Sequence, residues 1–161
     1  MAILKILKND DPTLRKTSRK VDAITPRITT LLDDMTETMR AANGCGLAAV
    51  QIGVLRRIVV IECEEGNVLE LINPEIIASE GVQNEMEGCL SLPKRWGITE
   101  RPERVTVRAM NRKGEIIEIT GEGLLARALC HETDHLDGKL FSDNAIHMLT
   151  PEEIEEMEQD A

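Results

Sequence analysis

Between Thr25-Pro26 and Asn43-Gly44 the apolar residues Ile28, Leu31, Leu32, Met35, Met39 and Ala42 recur at three- and four-residue intervals. That is the spacing of one helix face, with a proline suited to the first turn and Asn-Gly suited to the stop. After Gly53 the period shortens. Arg57 to Cys63, Val68 to Ile72, Ile76 to Ser79, Val105 to Met110 and Glu115 to Thr120 are short apolar and β-branched runs that predict strands. Asn111 to Gly114 predicts a hairpin turn between the last two. Helical spacing returns in Leu124, Leu125, Ala128, Leu129 and Leu136, with Thr120 and Gly121 as the start and Gly138 as the stop. Thr150-Pro-Glu-Glu153 is a capping box and predicts a short acidic C-terminal helix. No repeat, linker or low-complexity tract interrupts this order. Residues 1–161 therefore read as one α+β domain, in which antiparallel strands pack around the Leu124 to Leu136 helix, with an amphipathic N-terminal helix and a short C-terminal one.

Composition narrows the picture. A chain of 161 residues can bury a core without disulfides, and with Trp96 and Phe141 as its only aromatics that core must be built from Ile, Leu, Val, Met and Ala. The formal net charge of −10 argues against a nucleic-acid groove, which needs concentrated Lys and Arg. Met1 to Lys8 is too short and too lysine-interrupted for a signal peptide, and no run of about 18 apolar residues offers a membrane span. The expectation is a cytoplasmic protein with no direct nucleic-acid or membrane partner. In that compartment Cys45, Cys63, Cys89 and Cys130 are expected as reduced thiols, free to serve as metal ligands.

The chemistry is concentrated in His131-Glu132-Thr133-Asp134-His135. At about 3.6 residues per turn, positions four apart lie on one helix face, so both imidazoles can reach one metal ion. Glu132 then stands beside that ion, placed to take a proton from an activated water and pass it on. Such a site usually has three protein donors and one open position, so a third donor is needed. The protease extension of the motif would put a histidine at position 141, where this chain has Phe141. Glu152, Glu153, Glu155, Glu156 and Glu158 read as a solvated face of the terminal helix, and His147 as a surface residue in a connecting stretch. Cys130 points about 100° away from His131 around the helix, and Cys63 closes an apolar run as a small buried residue. Cys45 and Cys89, each beside glycine, remain, and spacing does not choose between them. Arg127, one turn before His131, is expected either at a pocket rim or snorkelling outward.

Three segments, Gly44-Cys-Gly-Leu-Ala-Ala-Val-Gln51, Glu87-Gly-Cys-Leu-Ser91 and Cys130-His-Glu-Thr-Asp-His-Leu136, resemble in order and separation the three signature motifs of the peptide deformylases. The likeness extends to Asp11-Pro-Thr-Leu-Arg15 and to Asn73-Pro74, and so over nearly the whole chain. The resemblance implies a metal-dependent hydrolase that removes the formyl group from N-terminal formylmethionine of nascent polypeptides, releasing formate. It implies Cys89, His131 and His135 as metal ligands, Glu132 as catalytic acid and base, and the Gln51 amide and Leu90 N–H as oxyanion donors. Gly44, Cys45, Gly46 and Gly88 are then expected along the peptide, the glycines permitting close backbone approach. The implied cofactor is one divalent ion, Fe2+, replaceable by Zn2+, Ni2+ or Co2+. Two departures stand out. No Lys or Arg follows Lys139, so the acidic tail does not support electrostatic docking on the ribosome, and residue 130 is Cys where Gln often precedes the motif histidine. The competing readings are a small metalloprotease and a non-catalytic metal-binding relative.

Overall fold

A computed structural model describes residues 2–159. After a single 3-10 turn, Pro12–Arg15, the elements are α1 (Pro26–Ala41), β1 (Gly46–Ala48), a second 3-10 turn (Ala49–Ile52), β2 (Ile58–Glu64), β3 (Asn67–Glu80), β4 (Gln83–Cys89), β5 (Leu92–Arg101), β6 (Arg104–Met110), β7 (Ile116–Glu122), α2 (Leu124–His135), α3 (Phe141–Asn144), β8 (Ala145–Met148) and α4 (Pro151–Gln159). A five-stranded sheet runs β1-β2-β3-β6-β7 and a three-stranded sheet runs β4-β5-β8. Every pairing in both is antiparallel, so the expected α+β class is the observed one. Among the described residues no helix is long and apolar enough to cross a membrane.

The large sheet is covered on both faces, and β2 explains how. Its alternating side chains split between two cores, because successive residues of a strand point to opposite faces. Val59 and Ile61 join Leu71, Val105, Val107, Ala126 and Leu129 beneath α2, whereas Ile58 and Val60 join Leu32, Met35, Met39 and Leu47 beneath α1. Burial of a side chain of this size contributes about 1.5–3 kcal/mol each. These two layers fix α2 in place, and with it the histidines. The small sheet closes over the C-terminal side of α2 through Leu92, Leu140 and Phe141.

Four expectations change in the fold. Val68 to Ile72 and Ile76 to Ser79 are one strand, β3, kinked by register shifts around Asn73 and Pro74. A proline cannot donate to the ladder and so sits at an irregularity. Asn73 adopts φ 53°, and its amide brackets Val21, accepting from its N–H at 2.8 Å and donating to its carbonyl at 2.9 Å. Second, α2 starts after Gly123 rather than at Thr120 and Gly121, which belong to β7, and Leu124 at its first turn is 59% exposed rather than part of the buried stripe. Third, β4, β5, β1 and β8 were not legible as strands, and His147 lies within β8 rather than in a connection. Finally, Cys63 is half-buried rather than enclosed. The Asn111 to Gly114 turn and the Thr150/Glu153 capping box form as expected, the latter through reciprocal bonds of 3.0 and 3.2 Å.

Candidate metal centre and active site

The end of β4 carries Cys89 to the inner face of α2, where His131 and His135 project one turn apart. The three ligand atoms lie within 4.8 Å of one another. Cys89 Sγ is 3.3 Å from His135 Nε2, which is 3.2 Å from His131 Nε2. Of the two cysteines between which spacing did not choose, β4 brings Cys89 beside the histidines. Cys45 stands instead beside Cys63, and buried Cys130 is outside the cluster. His147 is exposed and engages Glu153 at 2.9 Å. Phe141, at the position of the missing protease histidine, is buried and stacks on the His131 ring at 6.1 Å between centroids.

The donor set fits a divalent cation. Burial, reinforced by nearby His131, holds the His135 imidazole well below its ordinary pKa, so it presents a neutral nitrogen. For His131 burial acts in the same direction but is outweighed by Glu132, Cys89 and Glu87, which favour positive charge at this spot. A site enclosed by those groups is built to hold a cation. His131 Nδ1 lies 2.6 Å from Glu87 Oε2, which fixes the ring and leaves Nε2 facing Cys89 and His135. At this site Glu132 Oε1 and His135 Nδ1 are buried with no hydrogen-bond partner among the described residues. Glu132 Oε1 is therefore available for a small polar ligand at the centre.

Burial raises the Glu132 carboxyl to about 7, against the opposing pull of His131 and with a further push from Cys45. A carboxyl near neutrality is matched to shuttling a proton in either direction. Its position depends on Gly46. A Cβ there would collide with Glu132 Oε2, and equivalent carbons at Gly44 and Gly88 would run into Leu90 and the Trp96 ring. All three glycines line the same pocket, and each is also kept small by a side chain of the protein itself. We expect Gly46→Ala to retain metal yet lose about 100-fold in kcat/KM, the cost typical of displacing a reacting group by about 1 Å, as read by steady-state kinetics beside elemental analysis.

Gln51, in the turn after β1, is fully enclosed. Its Oε1 accepts from Ala48 N–H at 2.9 Å, and its Nε2 donates to Ser91 Oγ at 3.0 Å while lying 3.7 Å from Cys89 Sγ. The amide is thereby aimed at the metal cluster. Around these groups opens a pocket of about 490 Å³, lined on its apolar side by Met86, Leu90, Trp96 and Leu124 and also by Cys45 and Glu132. Leu124 has its exposed side chain here, which explains its departure from the helix stripe.

Beneath the pocket lies a buried polar network that motif reading left without a role. Glu87 receives Arg101 through Nη2 at 2.7 Å, Arg127 through Nη1 at 2.6 Å, Thr99 Oγ1 at 2.7 Å and His131 Nδ1. Arg127 also donates to the Thr99 carbonyl at 3.2 Å and to Gln83 Oε1 at 3.3 Å, and Arg101 reaches Asp134 at 2.7 Å. Arg127 therefore lines the pocket rather than snorkelling outward, and the residue is 4% exposed with its guanidinium held by these partners. The available signal was strand parity. Glu87 precedes Cys89 by two residues, so on a strand it shares the ligand's face.

A sequence profile of polypeptide deformylases matches residues 3–150. The chain is 57% identical over 155 residues to a peptide deformylase of Acetivibrio thermocellus, covering 96% of this chain and 91% of the relative. It is 60% identical over 146 residues to one of Alkaliphilus metalliredigens, covering 91% and 99%. Among solved structures, a peptide deformylase from Legionella pneumophila superposes with a TM-score of 0.86 at 42% identity, covering 98% of this chain and 96% of that one. One from Thermotoga maritima gives 0.86 at 35% identity, covering 89% and 97%. Three separated motifs, a shared fold and near-complete coverage agree: the chain belongs to the polypeptide deformylase family, metal-dependent enzymes that remove the formyl group from N-terminal methionine.

Proposed function

We propose that Cys89, His131 and His135 hold one divalent metal ion at which this chain deformylates N-formylmethionyl polypeptides, with Glu132 moving the proton. The observation that carries this reading is the convergence of three donor atoms beside the unpartnered Glu132 Oε1, with Cys89, His131 and Glu132 lining one pocket. When bound, the ion supplies Lewis-acid activation of water and of the formyl carbonyl. Glu132 accepts the proton released by the attacking water as its oxygen bonds to the formyl carbon. Gln51 Nε2 and the Leu90 backbone N–H donate to the carbonyl oxygen as it gains charge. Glu132 then delivers the proton to the departing amine as the C–N bond breaks, leaving formate and a free N-terminus. Met86, Leu90, Trp96 and Leu124 offer an apolar mouth for the methionine side chain, and the backbone of Gly44, Cys45, Gly46 and Gly88 flanks the path of an extended peptide.

Gln51→Ala should lower kcat by about 10²–10³, the cost typical of one oxyanion donor, with KM little changed. An unchanged kcat removes Gln51 from catalysis. The native ion in this reading is Fe2+, with Zn2+, Ni2+ or Co2+ as replacements, because thiolate and imidazole donors accept all four. Elemental analysis of anaerobically purified protein, with formate release measured for each metal form, tests both the ion and the activity. Residues 1–161 act as one catalytic domain, working in the cytoplasm on nascent chains. Residues 140–161 carry no Lys or Arg and so do not support electrostatic docking on ribosomal RNA, which leaves ribosome proximity to other contacts. The protease alternative lacks its further histidine, since Phe141 stands there, and a closed structural metal site would need a fourth donor where the cluster found among the described residues has three.

A further inference from the structure

The thiols of Cys45 and Cys63 are the one pair of nucleophilic side chains that the deformylation chemistry does not use. The two residues come together through the pairing of β1 with β2, in which Gly46 faces Ile61 and the Cys45 carbonyl accepts from Glu62 N–H at 2.7 Å. On β2, Val59, Ile61 and Cys63 share the face turned to α2, and Cys45 packs on that same cluster. Regular alternation would turn Cys45 away from that face, but Cys45 precedes β1 and β2 is irregular after Ile61, so that both cysteines pack on the one cluster as neighbours, half-buried and free. Neither belongs to the metal-ligand cluster. Cys45, between Gly44 and Gly46, lines the pocket whereas Cys63 does not, so of this pair Cys45 is the thiol open to a small reagent entering there.

The geometry points to Cys45 and Cys63 as a reversible oxidation site in the pocket wall, closing to a disulfide by exchange with a low-molecular-weight disulfide such as oxidised glutathione. In the first step the Cys45 thiolate attacks one sulfur of the reagent, its S–S bond breaks and one glutathione leaves. In the second the Cys63 thiolate attacks the Cys45 sulfur, the mixed disulfide breaks and the second glutathione leaves. The two protein thiols are oxidised, the reagent is reduced to two thiols, and the two displaced protons end on them.

The test treats the zinc-loaded holoenzyme with oxidised glutathione, blocks remaining thiols with N-ethylmaleimide, and maps the non-reduced protein. Trypsin cuts after Arg56 and Arg57, and a glutamyl endopeptidase separates Cys63 from Cys89. The expected result is a cross-linked pair of peptides carrying Cys45 and Cys63, lighter by two hydrogen masses, reopened by dithiothreitol, with zinc content unchanged. Cys63→Ser should stop at a stable glutathione adduct on Cys45, because the resolving thiol is gone. Independent N-ethylmaleimide labelling of both cysteines after oxidation, or a cross-link that instead joins Cys89 or Cys130, would overturn the assignment.

Discussion

Glu132→Ala should retain its metal and lose deformylation by about 10²–10⁴-fold, the range expected when a positioned acid and base is removed. Glu132 is outside the three-donor cluster, so its loss leaves the ligands intact, and its Oε1 has no protein partner whose loss would disturb the fold. Glu132→Gln should behave alike, since the amide keeps the volume that Gly46 makes room for but cannot accept the proton. Cys89→Ala provides the contrast, losing metal and activity together. Elemental analysis and formate release measured on the same samples separate the two outcomes. A metal-replete Glu132→Ala working at the wild-type rate would remove Glu132 from the chemistry.

Glu87→Ala has the second large effect, and it falls first on stability. Glu87 is the shared acceptor of Arg101, Arg127, Thr99 and His131, and both guanidiniums are buried, at 6% and 4% exposure. Removing it leaves Arg101 with Asp134 alone and buried Arg127 with no carboxylate among the described residues, a loss that typically costs about 3–5 kcal/mol. It also frees the His131 ring, and loss of such an outer partner weakens metal binding by about 10- to 100-fold. Burial by itself would raise the Glu87 carboxyl, but hydrogen bonds from His131 and Arg101 outweigh it and hold the group well below the usual carboxylate range. A depressed carboxyl contributes stability above its unfolded pKa and loses it only as pH falls through the folded value. Wild-type protein should therefore keep this contribution through mild acid, whereas the variant lacks it at every pH. Denaturant midpoints across pH, with metal competition against a chelator, measure both effects. A variant as stable as wild type with unaltered metal affinity would show that the network is dispensable.

The parts of the molecule that bury apolar side chains could be read from the chain, and the parts that bury polar ones could not. Helix α1, strands β2, β6 and β7 and the second half of α2 carry regular apolar spacing because each packs on a hydrocarbon core. β4 and β5 turn Gln83, Glu87, Thr99 and Arg101 inward, so the inward positions are polar and the period of two is invisible to a hydrophobic count. The same inversion hid Arg127. A long cation at helical spacing from His131 reads as surface until Glu87, on a distant strand, supplies its partner. The metal site was half legible, because one helix holds His131 and His135 by local geometry whereas Cys89 arrives from another sheet. Only the motif resemblance bridged that separation. The glycines were legible as special, but the crowding of Gly46 by the Glu132 carboxylate was not, because Glu132 comes from a distant helix.

The most direct test is a single incubation of the metal-loaded protein with formyl-Met-Ala-Ser, following formate and free α-amine together and the peptide products by mass. Formate and N-terminal amine should appear in equal amounts, with Met-Ala-Ser intact and the unformylated peptide untouched. Cleavage at an internal peptide bond, or no formate from protein shown to be metal-replete, would contradict a Cys89-His131-His135 centre that removes formyl groups with Glu132 carrying the proton.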